Sequence, residues 1–161
     1  MSNAMTNAAG ERGADVRFPP PLVFLGMTLL GVVLRYAASP FPPSGSWALW
    51  IGVLILLAGL ATIVSARTWF VRTGQSPIPW KPTPELILRG PYRFTRNPMY
   101  LGLTLIQTGL GLALGNLWIS VLSSVSLVLV HFIAVVPEEA YLTRKFGASY
   151  QDYCQRVRRY L

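Results

Sequence analysis

Two clusters of ionisable side chains stand where long apolar runs begin and end. The first is RGPYRFTRNPMYLG, residues 89–102, in which Arg89, Arg93 and Arg96 lead into Asn97, Pro98 and an apolar run. Asn at the cap and Pro in the first turn make a good helix start. A helix start offers unpaired N–H groups and a partial positive charge. With Arg93 and Arg96 beside it, such an end suits a carboxylate or a phosphate. The second cluster is Glu138-Glu139, directly after Pro137, where the last apolar run stops. Adjacent acids at a membrane surface are costly unless paired. Two readings stand for them: a structural ion pair or topology mark, or a grip for the cationic end of a ligand. Arginines and acids brought together would hold a zwitterion.

His131 precedes Glu138 by seven residues, which puts both on one helical face, with the histidine roughly 10 Å deeper along the axis. It is either a packing histidine bonded to one of Ser120, Ser123, Ser124 and Ser126, or a polar group lining a cavity. Other chemistries are excluded. With one His and one Cys, no metal-ligand cluster forms. Cys154 cannot make an internal disulfide and reads as a bystander thiol. There is no Walker loop and no GxGxxG between a strand and a helix, and no Ser-His-acid set is persuasively arranged.

The elements that must position these groups are membrane helices. Hydrophobic residues make up 52% of the chain and charged ones 12%, against roughly 25% charged in soluble domains. The expected fold is an all-α integral membrane protein in a single domain over residues 20–161. Residues 1–4 (MSNA), ahead of a second methionine, read as a tag remnant, and the stretch to residue 19 as a polar N-terminus without a cleavable signal. Four spans are expected, at about residues 20–38, 47–66, 98–114 and 117–136, each near the length a bilayer needs. Gly115-Asn116 alone joins the last two, which makes them a tight antiparallel hairpin. That hairpin is what would bring the acids to the arginines.

Charge sets the expected orientation. Arg67, Arg72, Lys81, Arg89, Arg93 and Arg96 share a loop with the single acid Glu85, whereas SPFPPSGS (39–46) and Gly115-Asn116 carry no charge. The positive-inside rule puts that loop, the C-terminal tail and the N-terminus in the cytoplasm. Arg35, at the far end of the first helix, snorkels to the outer interface. The net charge of +8 belongs to topology and anionic lipid, not to nucleic acid. Pro77, Pro79, Pro82, Pro84 and Pro91 make the loop an extended, ordered path with Trp80 near the interface. Gly102, Gly109, Gly111 and Gly115 suit close helix packing, Gly111 and Gly115 by their spacing, or a face for a bulky ligand. The tail (137–161) reads as a helix to Phe146, a break at Gly147 and a second amphipathic helix. Its stripe of Leu142, Phe146, Tyr150, Tyr153 and Val157 serves either surface docking or as a lid with aromatic walls.

GPYRFTRNPMYLG, a hydrophobic hairpin and EEAYLTRKFGASYQDYCQRVRRYL together resemble the isoprenylcysteine carboxyl methyltransferase and phospholipid methyltransferase superfamily, over residues 88–161. The family pattern is Arg-His-Pro-x-Tyr, an apolar segment, a Glu pair, and Phe-Gly-x-x-Tyr-x-x-Tyr. The resemblance implies S-adenosylmethionine as methyl donor, held between the start of the third helix, the Glu pair and the tail. Its amino-acid end is a zwitterion. Carried over as cofactor-binding are Tyr92, Arg96, Asn97, Pro98, Tyr100, Glu138, Glu139 and Tyr150. Assigned to catalysis are Glu139, to orient the reactants, His131, to line the acceptor cavity, and Asn97. Asn97 stands where the family commonly has His; its amide still donates and caps, but it cannot titrate. The implied acceptor is a membrane lipid or amphiphile offering a carboxylate, amine or thiol. The implied location is the inner or plasma membrane of a prokaryote, with both termini cytoplasmic. Two other readings are a small NADPH-dependent membrane reductase of sterol-reductase type and a non-catalytic protein of the same fold.

Overall fold

Pro19, Pro20 and Pro21 fix the backbone at the entry to the first helix, where their missing N–H groups cost nothing. In the computed structural model, which describes residues 13–16, 18–38 and 45–160, this helix (α1) spans Pro20–Ala37. It is followed by α2 (Ser46–Arg72), a short 3₁₀ turn (Gly90–Arg93) and α3 (Pro98–Ala113). Then come α4 (Leu117–Val130), a π-turn (His131–Val135), α5 (Val136–Phe146) and α6 (Ala148–Arg156). No strand occurs among the described residues. The expected tag remnant and most of the SPFPPSGS turn lie outside them.

Among the described residues, three helices are long and apolar enough to cross a membrane: Pro20–Ala37, Ser46–Arg72 and the continuous Leu117–Phe146. Helix α3 falls short of the four expected spans, since it holds 16 residues and so rises only about 24 Å. It is instead the inner helix. It packs mainly on α2 and α4, while α1 packs on α4, giving the spatial order α2–α3–α4–α1. Faces of α1 and α2 remain open, with Leu25, Leu29, Val33, Leu54 and Val64 exposed, as suits lipid contact.

Glycine decides how closely α2 and α3 approach. A Cβ at Gly59 would lie 2.7 Å from the Gly102 carbonyl oxygen, and one at Gly109 would lie 2.5 Å from that of Gly52. Two glycine pairs, a heptad apart on each helix, thus let the backbones touch. The Gly111 and Gly115 spacing does not serve this crossing. Gly111 meets Ser120 and Asn116 of the hairpin, and Gly115 takes φ +60° in the turn. At that turn Arg35 donates to the Gly115 carbonyl at 2.5 Å and Asn116 Nδ2 to that of Gly31 at 3.1 Å, tying α1 to the hairpin.

The basic loop end of α2 differs from expectation. The helix runs past residue 66 to Arg72 and stops at Gly74 (φ +67°), with Thr73 Oγ1 donating to the Trp69 carbonyl at 3.0 Å. Nor does the last apolar helix end at Pro137. That proline cannot supply the next backbone donor and its ring crowds the preceding turn. The π-turn widens the ladder there, with Val136 N–H donating to the His131 carbonyl, and the helix continues. Glu138 and Glu139 therefore sit in the first turn of α5, inside the helix rather than beyond it. Residues 13–16 pack into the proline loop. Gly13 and Ala14 N–H groups donate to the Trp80 and Pro79 carbonyls at 3.2 and 2.9 Å, and Ala14 and Val16 are buried.

Candidate active site

Where α3 begins and α5 passes beside it, the fold leaves a cavity of about 390 Å³. Most of its wall is apolar: Pro19 and Pro20 from the entry to α1, Phe70 from α2, Ile78 and Leu86 from the proline loop, Leu103 and Leu142. One side is polar, with Arg96, Asn97, Glu138 and Glu139 among tyrosines Tyr92, Tyr100, Tyr150 and Tyr153.

The charged groups are interlocked. Glu139 Oε1 forms an ion pair with Arg96 Nη1 at 3.1 Å and accepts from Arg159 Nε at 2.9 Å, and its Oε2 accepts from Arg159 Nη2 at 2.7 Å. Glu138 accepts from the Tyr100 hydroxyl, so a hydrogen bond joins the first turns of α3 and α5 while the ion pair ties α5 to Arg96, just ahead of α3. Residues 157–160 lie across this end as a strap. Arg96 N–H donates to the Arg158 carbonyl at 3.0 Å; the Thr95 hydroxyl and Asn97 Nδ2 donate to that of Arg159 at 3.0 and 3.1 Å. Tyr153 Oη donates to the Tyr92 carbonyl at 2.7 Å, fixing α6 over the same wall.

Two features leave room for an anionic partner. Arg96 Nε is buried and has no hydrogen-bond partner among the described residues, although an unmet buried donor is costly. No side chain caps the start of α3, and its first-turn residues Pro98, Met99 and Tyr100 line the cavity, so this end offers N–H groups without side-chain acceptors. A carboxylate at that end would meet those N–H groups with the Arg96 guanidinium alongside. The residues present thus fit the amino-acid end of a nucleoside such as S-adenosylmethionine, with acids close by for its ammonium group. The tyrosines outside the helical spans are donors and not bases. Burial lifts the Tyr92 hydroxyl far above its usual range, and lifts Tyr150, with Glu139 adding to it. Tyr153 is pushed up to about 12, chiefly by burial and partly offset by Arg96.

The residues read from the sequence divide accordingly. Tyr92, Arg96, Asn97, Pro98, Tyr100, Glu138, Glu139 and Tyr150 all line the one cavity. Three expectations change. Asn97 stands at the N-cap position but its side chain does not cap, because the amide is turned to the Arg159 carbonyl. His131 does not line the cavity; its Nδ1 lies 3.0 Å from the Tyr160 hydroxyl and not against a serine. The serines bond elsewhere, Ser126 to Gln107 Oε1 at 2.8 Å and Ser123 to Thr108 at 2.7 Å. Arg93 is exposed and away from the lining.

Comparison with known proteins places this site in context. The family described as phospholipid methyltransferase matches residues 47–149, a stretch running from the start of α2 into α6. The chain belongs to the phospholipid methyltransferase family. A protein-S-isoprenylcysteine O-methyltransferase of Schizosaccharomyces pombe is 38% identical over 74 residues, which is 45% of this chain and 30% of that protein. An uncharacterized protein of Haemophilus influenzae is 40% identical over 65 residues, which is 39% of this chain and 100% of that protein. The chain therefore spans well under half of the yeast relative. No solved structure matches the chain. The family and the three apolar helices together make this an integral membrane protein.

Within this phospholipid methyltransferase family member, sequence reasoning missed Arg159 and the strap that carries it. The stripe that includes Val157 makes this segment read as the end of the second amphipathic helix, arginines outward, but that helix stops at Arg156 and Val157 is extended. The contribution of Ala14, Ile78 and Trp80 to the wall was equally silent, because it depends on backbone bonds between two irregular segments.

Proposed function

We propose that the chain is an S-adenosylmethionine-dependent methyltransferase acting on a lipid-like or amphiphilic acceptor. The transfer takes place at the cytoplasmic leaflet of a prokaryotic inner or plasma membrane, with both termini cytoplasmic. One observation carries the reading: a single cavity has an apolar wall on most sides and, at one end, Arg96 and the open start of α3 within reach of Glu138 and Glu139. When bound, S-adenosylmethionine supplies a sulfonium methyl group for in-line displacement by the acceptor. Arg96 and the first turn of α3 take the carboxylate, and Glu139 takes the ammonium. Tyr100 holds Glu138 in place from α3, and Tyr92 and Tyr150 wall the polar end with neutral phenols. Phe70, Leu103 and Leu142 exclude water around the acceptor. The chain's main task is positioning, which is worth roughly 7–11 kcal/mol when reactants are held in line.

The test is incubation of the purified chain in detergent with methyl-labelled S-adenosylmethionine and a membrane lipid extract, followed by identification of the labelled product. The reading predicts label in one amphiphilic class, lost in Glu138→Gln/Glu139→Gln. Label in no acceptor, from folded protein that binds the donor, would contradict the assigned transfer.

A further inference from the structure

Both oxygens of Glu139 are already occupied. Oε1 serves Arg96 and Arg159, and Oε2 serves Arg159. Two guanidinium groups thus already face a single negative charge, so a ligand ammonium would arrive as a third cation around this carboxylate. The two arginines are not equally able to yield. Arg96 is enclosed, with 12% of its side chain exposed and Nη1 also 2.6 Å from Cys154 Sγ. Arg159 has 41% of its side chain exposed. Its backbone is held separately, through the Arg158 and Arg159 carbonyls and the Thr95, Arg96 and Asn97 donors. At the next residue, the Tyr160 hydroxyl meets His131. The guanidinium can therefore leave Glu139 for water while the strap stays in place.

We propose that Arg159 is a side-chain latch: it fills Glu139 while no cationic ligand is present, and it withdraws when a zwitterionic ligand brings its ammonium to that carboxylate. The latch rests on the reading above that Glu139 holds the ammonium. It costs little to open, because a half-exposed ion pair is weak. Closed, it neutralises Glu139 from beyond the cavity wall, which Glu139 and Arg96 line and Arg159 does not. Open, it leaves Arg96 and Glu139 as a matched pair of grips for the ligand's carboxylate and ammonium.

The probe is S-adenosylhomocysteine, which carries the same zwitterionic end without a transferable methyl, titrated calorimetrically into the full chain in detergent. Arg159→Gln should bind about fivefold more tightly than wild type. Arg159→Lys should fall between them, since it keeps the charge and loses the fork. The gain should vanish in the Glu139→Gln background, as a double-mutant cycle requires. A second readout uses unmodified protein: modification of Arg159 by phenylglyoxal, followed by mass spectrometry, should be faster with S-adenosylhomocysteine bound than without it. Binding by wild type that is equal or weaker in Arg159→Gln, or labelling that slows on binding, overturns the latch and leaves the site reading intact. No binding by folded wild-type protein overturns both.

Discussion

Replacing Glu139 by Gln keeps the side-chain volume and removes the charge between two guanidinium groups. The exposures set the size of the loss. Arg96 and Glu139 are 12% and 17% exposed, and Arg159 is 41% exposed. Breaking a fully buried pair costs about 3–5 kcal/mol because a charge is stranded, whereas surface pairs are worth about 0–1 kcal/mol. The Arg96 contact lies toward the first limit and the Arg159 contact toward the second. Glutamine still accepts one hydrogen bond, so the expected loss is about 2–3 kcal/mol. In a chain of this size that lowers the unfolding midpoint by roughly 4–12 °C, read by thermal unfolding in detergent. Arg159→Gln should cost at most about 1 kcal/mol in the same assay. An unshifted midpoint for Glu139→Gln, or an equal shift for both variants, would refute the claim that Arg96 and Glu139 form the enclosed half of the network.

Other outcomes follow from the same structure. Gly109→Val should destabilise by about 1–3 kcal/mol through overpacking, because its new Cβ would lie 2.5 Å from backbone atoms of Gly52 and Leu56. Gly26→Ala, where nothing lies within 4 Å, should be neutral or gain up to about 1 kcal/mol in helix propensity; equal midpoints for the two variants would count against the close crossing of α2 and α3. His131→Ala should lose about 1 kcal/mol of stability with its bond to Tyr160 while S-adenosylhomocysteine affinity stays the same. A loss of methyl transfer of about a hundredfold at saturating substrates would instead put the histidine at the chemistry.

Much of this architecture is legible in the order of residues, for identifiable reasons. Apolar runs mark membrane helices directly, and Gly115 and Gly147 mark turns that need positive φ, at +60° and +52°. Hydropathy alone could not place α3: its residues are as apolar as a span, yet the helix is short and sits inside. Arg67 and Arg72 suggested an end to α2, but a helix continues past the apolar zone wherever its backbone has no reason to stop, here until Gly74. The polar end of the cavity was readable because Arg96, Tyr100, Glu138 and Glu139 flank one hairpin and so must meet. Arg159 was not, because its place depends on a strap whose backbone bonds to residues some sixty positions earlier. The π-turn likewise follows from how the chain accommodates Pro137 in context, and it moves His131 away from the cavity that seven-residue spacing had implied.

The most direct measurement is calorimetric titration of S-adenosylhomocysteine and, separately, NADPH into the purified chain in detergent, with Glu138→Gln/Glu139→Gln alongside. Saturable binding of S-adenosylhomocysteine by wild type, weakened about tenfold or more in the variant, with no binding of NADPH, is the predicted result. Binding of NADPH instead, or S-adenosylhomocysteine binding that the variant leaves unchanged, would contradict the assignment of the Arg96–Glu139 end of the cavity to a zwitterionic methyl donor.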